Sequence, residues 1–412
     1  MGNSILIRNI SHLTGIIDGA SKLVKGNDMG RVRSISDAWV LVSDGIIQDF
    51  GSMLTVPERA DHIIDATGAS VFPCWCDSHT HIVFASGREG EFVDRIKGKS
   101  YEEIAAAGGG ILNSANRLRQ MPEDLLYENA YRRLQEVISK GTGAIEIKSG
   151  YGLTRESELK MLRVIRRLRQ STEVTVKATF LGAHAVPSEY KENRADYIHL
   201  IINEMIPEVA GEGLADYCDV FCDKGFFTVE ETDLILTAAA RYGLKAKIHA
   251  NELAVSGGVQ VGIKNNAVSV DHLEATTQVE IDALKNASTI PTLLPSVSFF
   301  LNIDYAPARA MIDQGLGIAI ASDYNPGSSP SGNIPLLMAI ACNNMRITPV
   351  EAFSAVTING ACAMELEKET GSISKSKSAN LIISRPGVTL DSMVYAFGSD
   401  HIDKVMIRGK LV

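Results

Sequence analysis

The chain has 412 residues, 45% of them hydrophobic and 22% charged, with a formal net charge of −9. That is an ordinary soluble globular balance, and an acidic chain with no Lys/Arg block is not built to hold nucleic acid. No apolar run approaches the ~18–20 residues of a membrane span, and six cysteines spread over this length make no disulfide framework.

The N-terminus, MGNSILIRNISHL, lacks the basic segment and apolar core of a secretory leader. It brushes the myristoylation pattern, but Leu6 stands where Ser or Thr is needed. A protein of the reducing cytoplasm is therefore expected. Residues 1–67 read as strands and turns, with the β-branched runs SILIRNI, AWVLVSDGII and HIIDATG broken by Gly, Asp and Ser. Residues 375–412 have the same texture in ANLIISRPG, SMVYAF and KVMIRGKLV. The two ends are predicted to pair into one composite β domain, a small β-sandwich.

Residues 68–374 have another rhythm, short apolar strands alternating with amphipathic helices. Eight strands are predicted, at 70–79, 143–150, 173–184, 216–223, 245–252, 267–274, 289–296 and 317–323. Helices at 156–170 and 229–243 lie between them. Eight parallel strands with intervening helices suit a closed (β/α)8 barrel of the TIM type, an α/β fold of ~250 residues. An open doubly wound sheet is the rival, but no Gly-rich dinucleotide turn follows the first strand. AAAGGGI (105–111) has no Gly-Lys-Ser/Thr after it, so an active-site loop is expected there instead of a phosphate loop. The basic RVIRRLRQ stretch reads as one solvated helix face without a function.

Against that strand count the ionisable residues fall in one place. His79 and His81 end the first strand, Lys148 the second, His184 the third and Cys222–Asp223 the fourth. His249 and Glu252 end the fifth, His272 the sixth and Asp323 the eighth. A lone strand histidine is more often a hydrogen-bonded core residue than a ligand. Several such groups at the C-terminal ends of barrel strands converge on one mouth, where barrel active sites are built.

PCWCDSHTHIVF (73–84) offers Cys74, Cys76, His79 and His81 as candidate zinc ligands. Side chains alternate along a strand, so the two histidines share one side and the two cysteines take the other. On an unbulged strand the cysteines become wall. Adding His249 and Asp323 gives three nitrogens and a carboxylate oxygen, a set for one divalent ion, Zn²⁺ or iron (Fe²⁺/Fe³⁺), with a further position left for water. Glu252 is placed to act as general base and then proton donor. His272 can hydrogen-bond the water or the developing oxyanion, and Asp323 can share the proton. The chemistry that fits is metal-assisted hydrolysis.

These residues resemble the amidohydrolase superfamily: DSHTH on strand one, HANE on strand five, the His of DHLE on strand six and SD on strand eight. The resemblance implies a metal-dependent (β/α)8 barrel with a small β domain made from both termini. Two-metal members carry a carboxylated Lys on strand four; here Lys148 lies on strand two, which implies one metal. EIKSGYGL, FLGAHAVP, SVDHLE and ASDYNPGS are similar to the members that open the lactam ring of 4-imidazolone-5-propanoate to N-formimino-glutamate in histidine degradation. On that resemblance Arg88, Tyr151, His184, Asn325, Gly327 and Ser328 are substrate contacts, and a homodimer is the usual assembly. Arg88 has the fixed fork a carboxylate tail needs. Ser78, Gly90 and Ser328 depart from the usual pattern without removing a ligand or the proton carrier. Two rivals share parts of this reading: a nucleobase-type deaminase with the same metal set, and a barrel that has lost its chemistry.

Overall fold

The computed structural model describes residues 4–19, 22–99, 103 and 109–412. Positions 105–108 of the predicted active-site loop lie outside the described residues.

The N-terminal third of the β structure comprises β1 (Ser4–Ile16), β2 (Arg33–Ser43), β3 (Ile46–Ser52), β4 (His62–Asp65) and β5 (Ser70–Pro73). The barrel strands follow: β6 (Trp75–Thr80), β7 (Thr142–Lys148), β8 (Thr175–Ala183), β9 (Tyr217–Cys222), β10 (Lys245–Ala250), β11 (Ser269–His272), β12 (Ile290–Leu293) and β13 (Ala319–Ile320). Three more, β14 (Leu381–Ser384), β15 (Ile402–Ile407) and β16 (Lys410–Leu411), complete the chain.

The two ends do meet. β14, β15 and β16 join β5, β1, β2 and β3 in one sheet, with β4 beside β1. This sheet has its own core, in which Ile7, Ile10 and Val40 pack with Leu381 and Met406. The first predicted strand, 70–79, is in fact two. Ser70–Pro73 pairs with β1 and β14, and only Trp75–Thr80 enters the barrel. The break falls at Cys74, whose N–H donates to Asn380 O (3.0 Å) in the terminal sheet, while Trp75 N donates to Gly141 O (2.9 Å) in the barrel. Phe72 and Trp75 both pack edge-on against Phe353, which couples sheet to barrel.

β6 to β13 form a sheet in chain order, each strand parallel to the next. It closes through a parallel bridge between Thr80 and Tyr324, just after β13. All eight predicted strands are present. Their short apolar runs are buried on both faces, as strands covered by helices must be. The two predicted helices are Arg155–Gln170 and Val229–Arg241. Each starts at a Thr whose hydroxyl accepts a backbone N–H, Thr154 and Thr228, the second within a capping box closed by Glu231. The basic face of the first helix is not merely solvated. Arg163 pairs with Glu212 at 2.5 Å and Arg169 with Asp216 at 2.5 Å, tying the helix to its neighbours.

Candidate active site

At the C-terminal mouth of the barrel, β6 and β10 bring three imidazoles together. Ligand atoms of His79, His81 and His249 all lie within 4.8 Å of one another. The Nε2 atoms of His79 and His81 are 3.3 Å apart. Asp323 Oδ1 is 3.4 Å from each of them. His249 Nε2 is buried and has no hydrogen-bond partner among the described residues. A buried nitrogen without a partner costs free energy unless something fills the role. The three imidazoles therefore fit a divalent ion, with Asp323 Oδ1 beside two of them.

The second carboxylate oxygen of Asp323 is already held. Asn325 Nδ2 donates to Asp323 Oδ2 (2.7 Å), and Ser328 Oγ donates to the same atom (3.2 Å). Asn325 Oδ1 in turn accepts from the N–H groups of Gly327 (2.7 Å) and Ser328 (2.9 Å). The NPGS turn thus leaves Oδ1 to face the histidines. Asn325 and Ser328 line the cavity as expected, but their polar groups also serve Asp323.

Carboxylates stand behind two of these imidazoles, as they do behind most metal-binding histidines. His79 Nδ1 donates to Asp271 Oδ2 (2.6 Å), which leaves Nε2 facing the other imidazoles. His249 Nδ1 lies 3.0 Å from Asp219 Oδ2, and its backbone N–H donates to Asp219 Oδ1 (3.2 Å). Asp219 and Asp271 were not among the residues singled out from sequence.

The cavity above is about 400 Å³. Eleven of the twelve sequence-predicted site residues line it: His81, Arg88, Tyr151, His184, His249, Glu252, His272, Asp323, Asn325, Gly327 and Ser328. His79 lies beneath its floor, fully buried. Sequence reasoning missed the apolar walls, Phe221 stacked on Phe226 at 4.0 Å and Phe92 stacked on Phe300 at 5.2 Å.

Arg88 sits on one side, its Nε donating to Ser114 Oγ (2.8 Å) and its guanidinium 5.8 Å from the Tyr151 ring centroid. A Cβ on Gly327 would come within 2.5 Å of Arg88 Nη1, so a larger residue there would push the guanidinium from its present place. The SGYGL loop is wrapped around Glu158, whose carboxylate accepts from the N–H groups of Gly150 (3.0 Å), Gly152 (2.7 Å) and Leu153 (2.9 Å). Tyr151 is positioned by that wrap. His184 Nδ1 donates to Gly150 O (3.0 Å), so its Nε2 presents a lone pair to the cavity. Burial, with His249 nearby, pushes the His184 pKa down to about 3 and keeps the ring neutral.

Glu252 and His272 face each other across the mouth, Glu252 Oε2 3.6 Å from His272 Nδ1. Glu274, a residue sequence reasoning did not name, lies 3.5 Å from the same nitrogen. Burial raises the Glu252 pKa to about 7, with His272 pulling the other way. For His272 burial opposes the charge, but Glu252 and Glu274 outweigh it and lift the pKa to about 10. Near neutral pH the site therefore holds a carboxyl poised between its two forms beside a protonated imidazole. The turn that carries Glu252 is fixed by Asp223, which accepts from Leu253 N (2.9 Å).

Cys74 and Cys76 are buried away from this cavity. Cys74 packs in the main core, and Cys76 packs with Ala144, Ala361, Met364 and Leu366. The condition of an unbulged strand does not hold, because the β6–β7 register shifts at 75/76 and again at 77/80. The cysteines are wall all the same. Lys148 does not reach the cavity either; its Nζ is spent on Glu146 (2.6 Å) and Asp219 (2.8 Å).

The sequence pattern of the amidohydrolase family matches residues 70–412. An imidazolonepropionase of Flavobacterium johnsoniae is 53% identical over 408 residues, covering 99% of each chain. One of Thermoanaerobacter pseudethanolicus is 43% identical over 382 residues, covering 92% of this chain and 91% of its own. Among solved structures, guanine deaminase from C. acetobutylicum aligns over 100% of both chains with a TM-score of 0.75 and 16% identity, a likeness of fold.

Proposed function

The chain belongs to the amidohydrolase family, and from that premise we propose that it is a hydrolase opening the lactam C–N bond of 4-imidazolone-5-propanoate to give N-formimino-glutamate, a step of histidine degradation. The observation that carries the choice of substrate is the 53% identity, over nearly the whole of both chains, to a curated imidazolonepropionase. The cavity supports it, since its lining includes the Arg88 guanidinium together with His81, His249 and Asp323, with His79 buried behind them.

One divalent ion is proposed for that cradle, Zn²⁺ or iron, which share a preference for this donor set. When bound, it would lower the pKa of a water and polarise the lactam carbonyl. His79, His81, His249 and Asp323 are its ligands in this reading.

Arg88 takes the propionate as a two-pronged hydrogen-bond donor. Tyr151 and the neutral His184 hold the flat ring, His184 accepting from a ring N–H through Nε2. Asn325, Gly327 and Ser328 close the pocket beside Arg88 and fix Asp323. Glu252 in its ionised form removes a proton as the water oxygen bonds to the lactam carbon. Protonated His272 donates to the oxyanion that forms there. The C–N bond then breaks, and Glu252 returns its proton to the ring nitrogen as that nitrogen leaves. Water is thus divided, hydroxyl to carbon and proton to nitrogen.

No helix among the described residues is long and apolar enough to cross a membrane, and all six cysteines are free. A cytoplasmic homodimer remains part of the proposal, to be tested by light scattering. The substrate is tested by following imidazolone absorbance alongside ammonia release from guanine and cytosine. Loss of imidazolone absorbance without ammonia supports the proposal; ammonia from a nucleobase with no imidazolone turnover overturns it.

A further inference from the structure

Beneath the cradle the barrel interior holds a closed network of charges, all fully buried: Glu146, Lys148, Asp219, Lys247 and Asp271. Buried charges are costly unless paired with good geometry, and removing one partner strands the rest. The pairing here is uneven. Lys247 contacts Glu146 and Ser78 O and makes no ion pair with either carboxylate beside a histidine, although its charge also acts on Asp271. Lys148 touches both. Its Nζ is 2.8 Å from Asp219 Oδ2 and 3.5 Å from Asp271 Oδ2. Those are the same two oxygens that face His249 Nδ1 at 3.0 Å and His79 Nδ1 at 2.6 Å. The hydrogen bonds of the ammonium group go to Asp219 and to Glu146 Oε1 at 2.6 Å, while Asp271 is held as an ion pair. Ser269 Oγ donates to the other oxygen of Asp271 at 2.5 Å, so that carboxylate is held between Ser269, His79 and the Lys148 ammonium.

We infer that Lys148 is a positioning residue for the metal cradle, a single cation that fixes Asp219 and Asp271 and through them the rings of His79 and His249. This rests on the proposed metal ligands. It also gives the strand-two lysine a role unlike the carboxylated lysine of two-metal relatives, since its nitrogen is fully buried among the carboxylates of Glu146, Asp219 and Asp271. Outer partners of metal ligands typically account for 10–100-fold in metal affinity, and Lys148 governs two of them at once.

The test is Zn²⁺ affinity by chelator competition, on the full-length protein, with the thermal stability of the metal-free form measured in parallel. Lys148→Met is expected to weaken Zn²⁺ binding by about 10–100-fold. Lys247→Met, which removes an equally buried cation that makes no ion pair with Asp219 or Asp271, is expected to weaken Zn²⁺ binding clearly less than Lys148→Met. A purely structural role would instead lower the stability of both metal-free variants and leave both affinities alone. Should Lys148→Met fail to fold, Lys148→Arg keeps the charge but replaces a point donor with a planar fork. It is then expected to fold and to bind Zn²⁺ about tenfold more weakly. Parent-like Zn²⁺ affinity in a folded Lys148 variant overturns the inference, and so does failure of both to fold, which would assign Lys148 to the fold as a whole. A parent protein that binds no stoichiometric Zn²⁺ sinks the metal reading itself, a separate outcome.

Discussion

Asp323 and His79 are joined twice across the seam where the barrel closes. The backbone N–H of Asp323 donates to His79 O at 2.9 Å, and Asp323 Oδ1 lies 3.4 Å from His79 Nε2. The next rung of the seam is His81 N donating to Tyr324 O at 3.0 Å. The hydrogen bonds that close the barrel are thus the ones that set three of the four proposed ligands.

The seam separates fold from metal in Asp323→Ala. The backbone rungs survive this change, so the protein should stay folded while the cradle loses its only carboxylate. Zn²⁺ affinity is expected to fall by more than the ~10–100-fold typical of outer-shell partners, with the circular dichroism spectrum unchanged. Metal analysis after dialysis reads the result.

Glu252→Gln should leave metal content intact and lower kcat by about 10²–10⁴-fold, the usual span for a general acid–base.

The pH profile follows from the same group and its neighbour. Glu252 works as a base only when ionised, and its pKa is raised to about 7, chiefly by burial. Activity is lost as pH falls through that value. His272 donates only when protonated, and Glu252 and Glu274 hold it so up to about 10 against the effect of burial. Activity is lost again as pH rises through that value. A plot of kcat/KM against pH should be bell-shaped, and Glu252→Gln should abolish its acid limb.

Arg88→Lys keeps the charge and loses the fork. Hydrogen bonds to charged groups contribute about 1.5–3 kcal/mol, so kcat/KM should fall by about 10–100-fold, mostly through KM. Steady-state kinetics on imidazolone propionate checks this.

Cys74→Ala with Cys76→Ala should retain the metal at full stoichiometry. The cost is in stability, on the order of 1 kcal/mol for each buried thiol removed, read from urea unfolding.

Most of the cradle was legible because its residues end strands. His79, His81, His249 and Asp323 stand at or just past the last residues of β6, β10 and β13, where apolar runs give way to polar ones. The layer beneath was legible in principle. Alternation along β7, β9 and β10 puts Glu146 with Lys148, Asp219 with Phe221, and Lys247 with His249 on one side. Read as strand interiors, these charges gave no sign of their partners, which barrel closure alone decides. Asp271 was harder still. It precedes His272, and neighbours on a strand point opposite ways, yet both serve the site. The reason is local: His272 and Leu273 have φ of +81° and +72°, so alternation ends there and the imidazole turns back over the mouth. Glu158 was hidden for a different reason. It lies in the first turn of a helix and looks like a favourable N-terminal charge, whereas it is the post around which the Gly150–Leu153 loop winds. The strand break at Cys74 was missed because VFPCWC is one apolar run, with nothing in it to say which sheet each half would join.

The most direct measurement is imidazolone turnover by metal-free protein titrated with Zn²⁺. Turnover should be absent at the start, rise in proportion to added metal and level off at one equivalent per chain. Turnover that persists without metal, or that climbs to a break at two equivalents, would contradict the single cradle formed by His79, His81, His249 and Asp323.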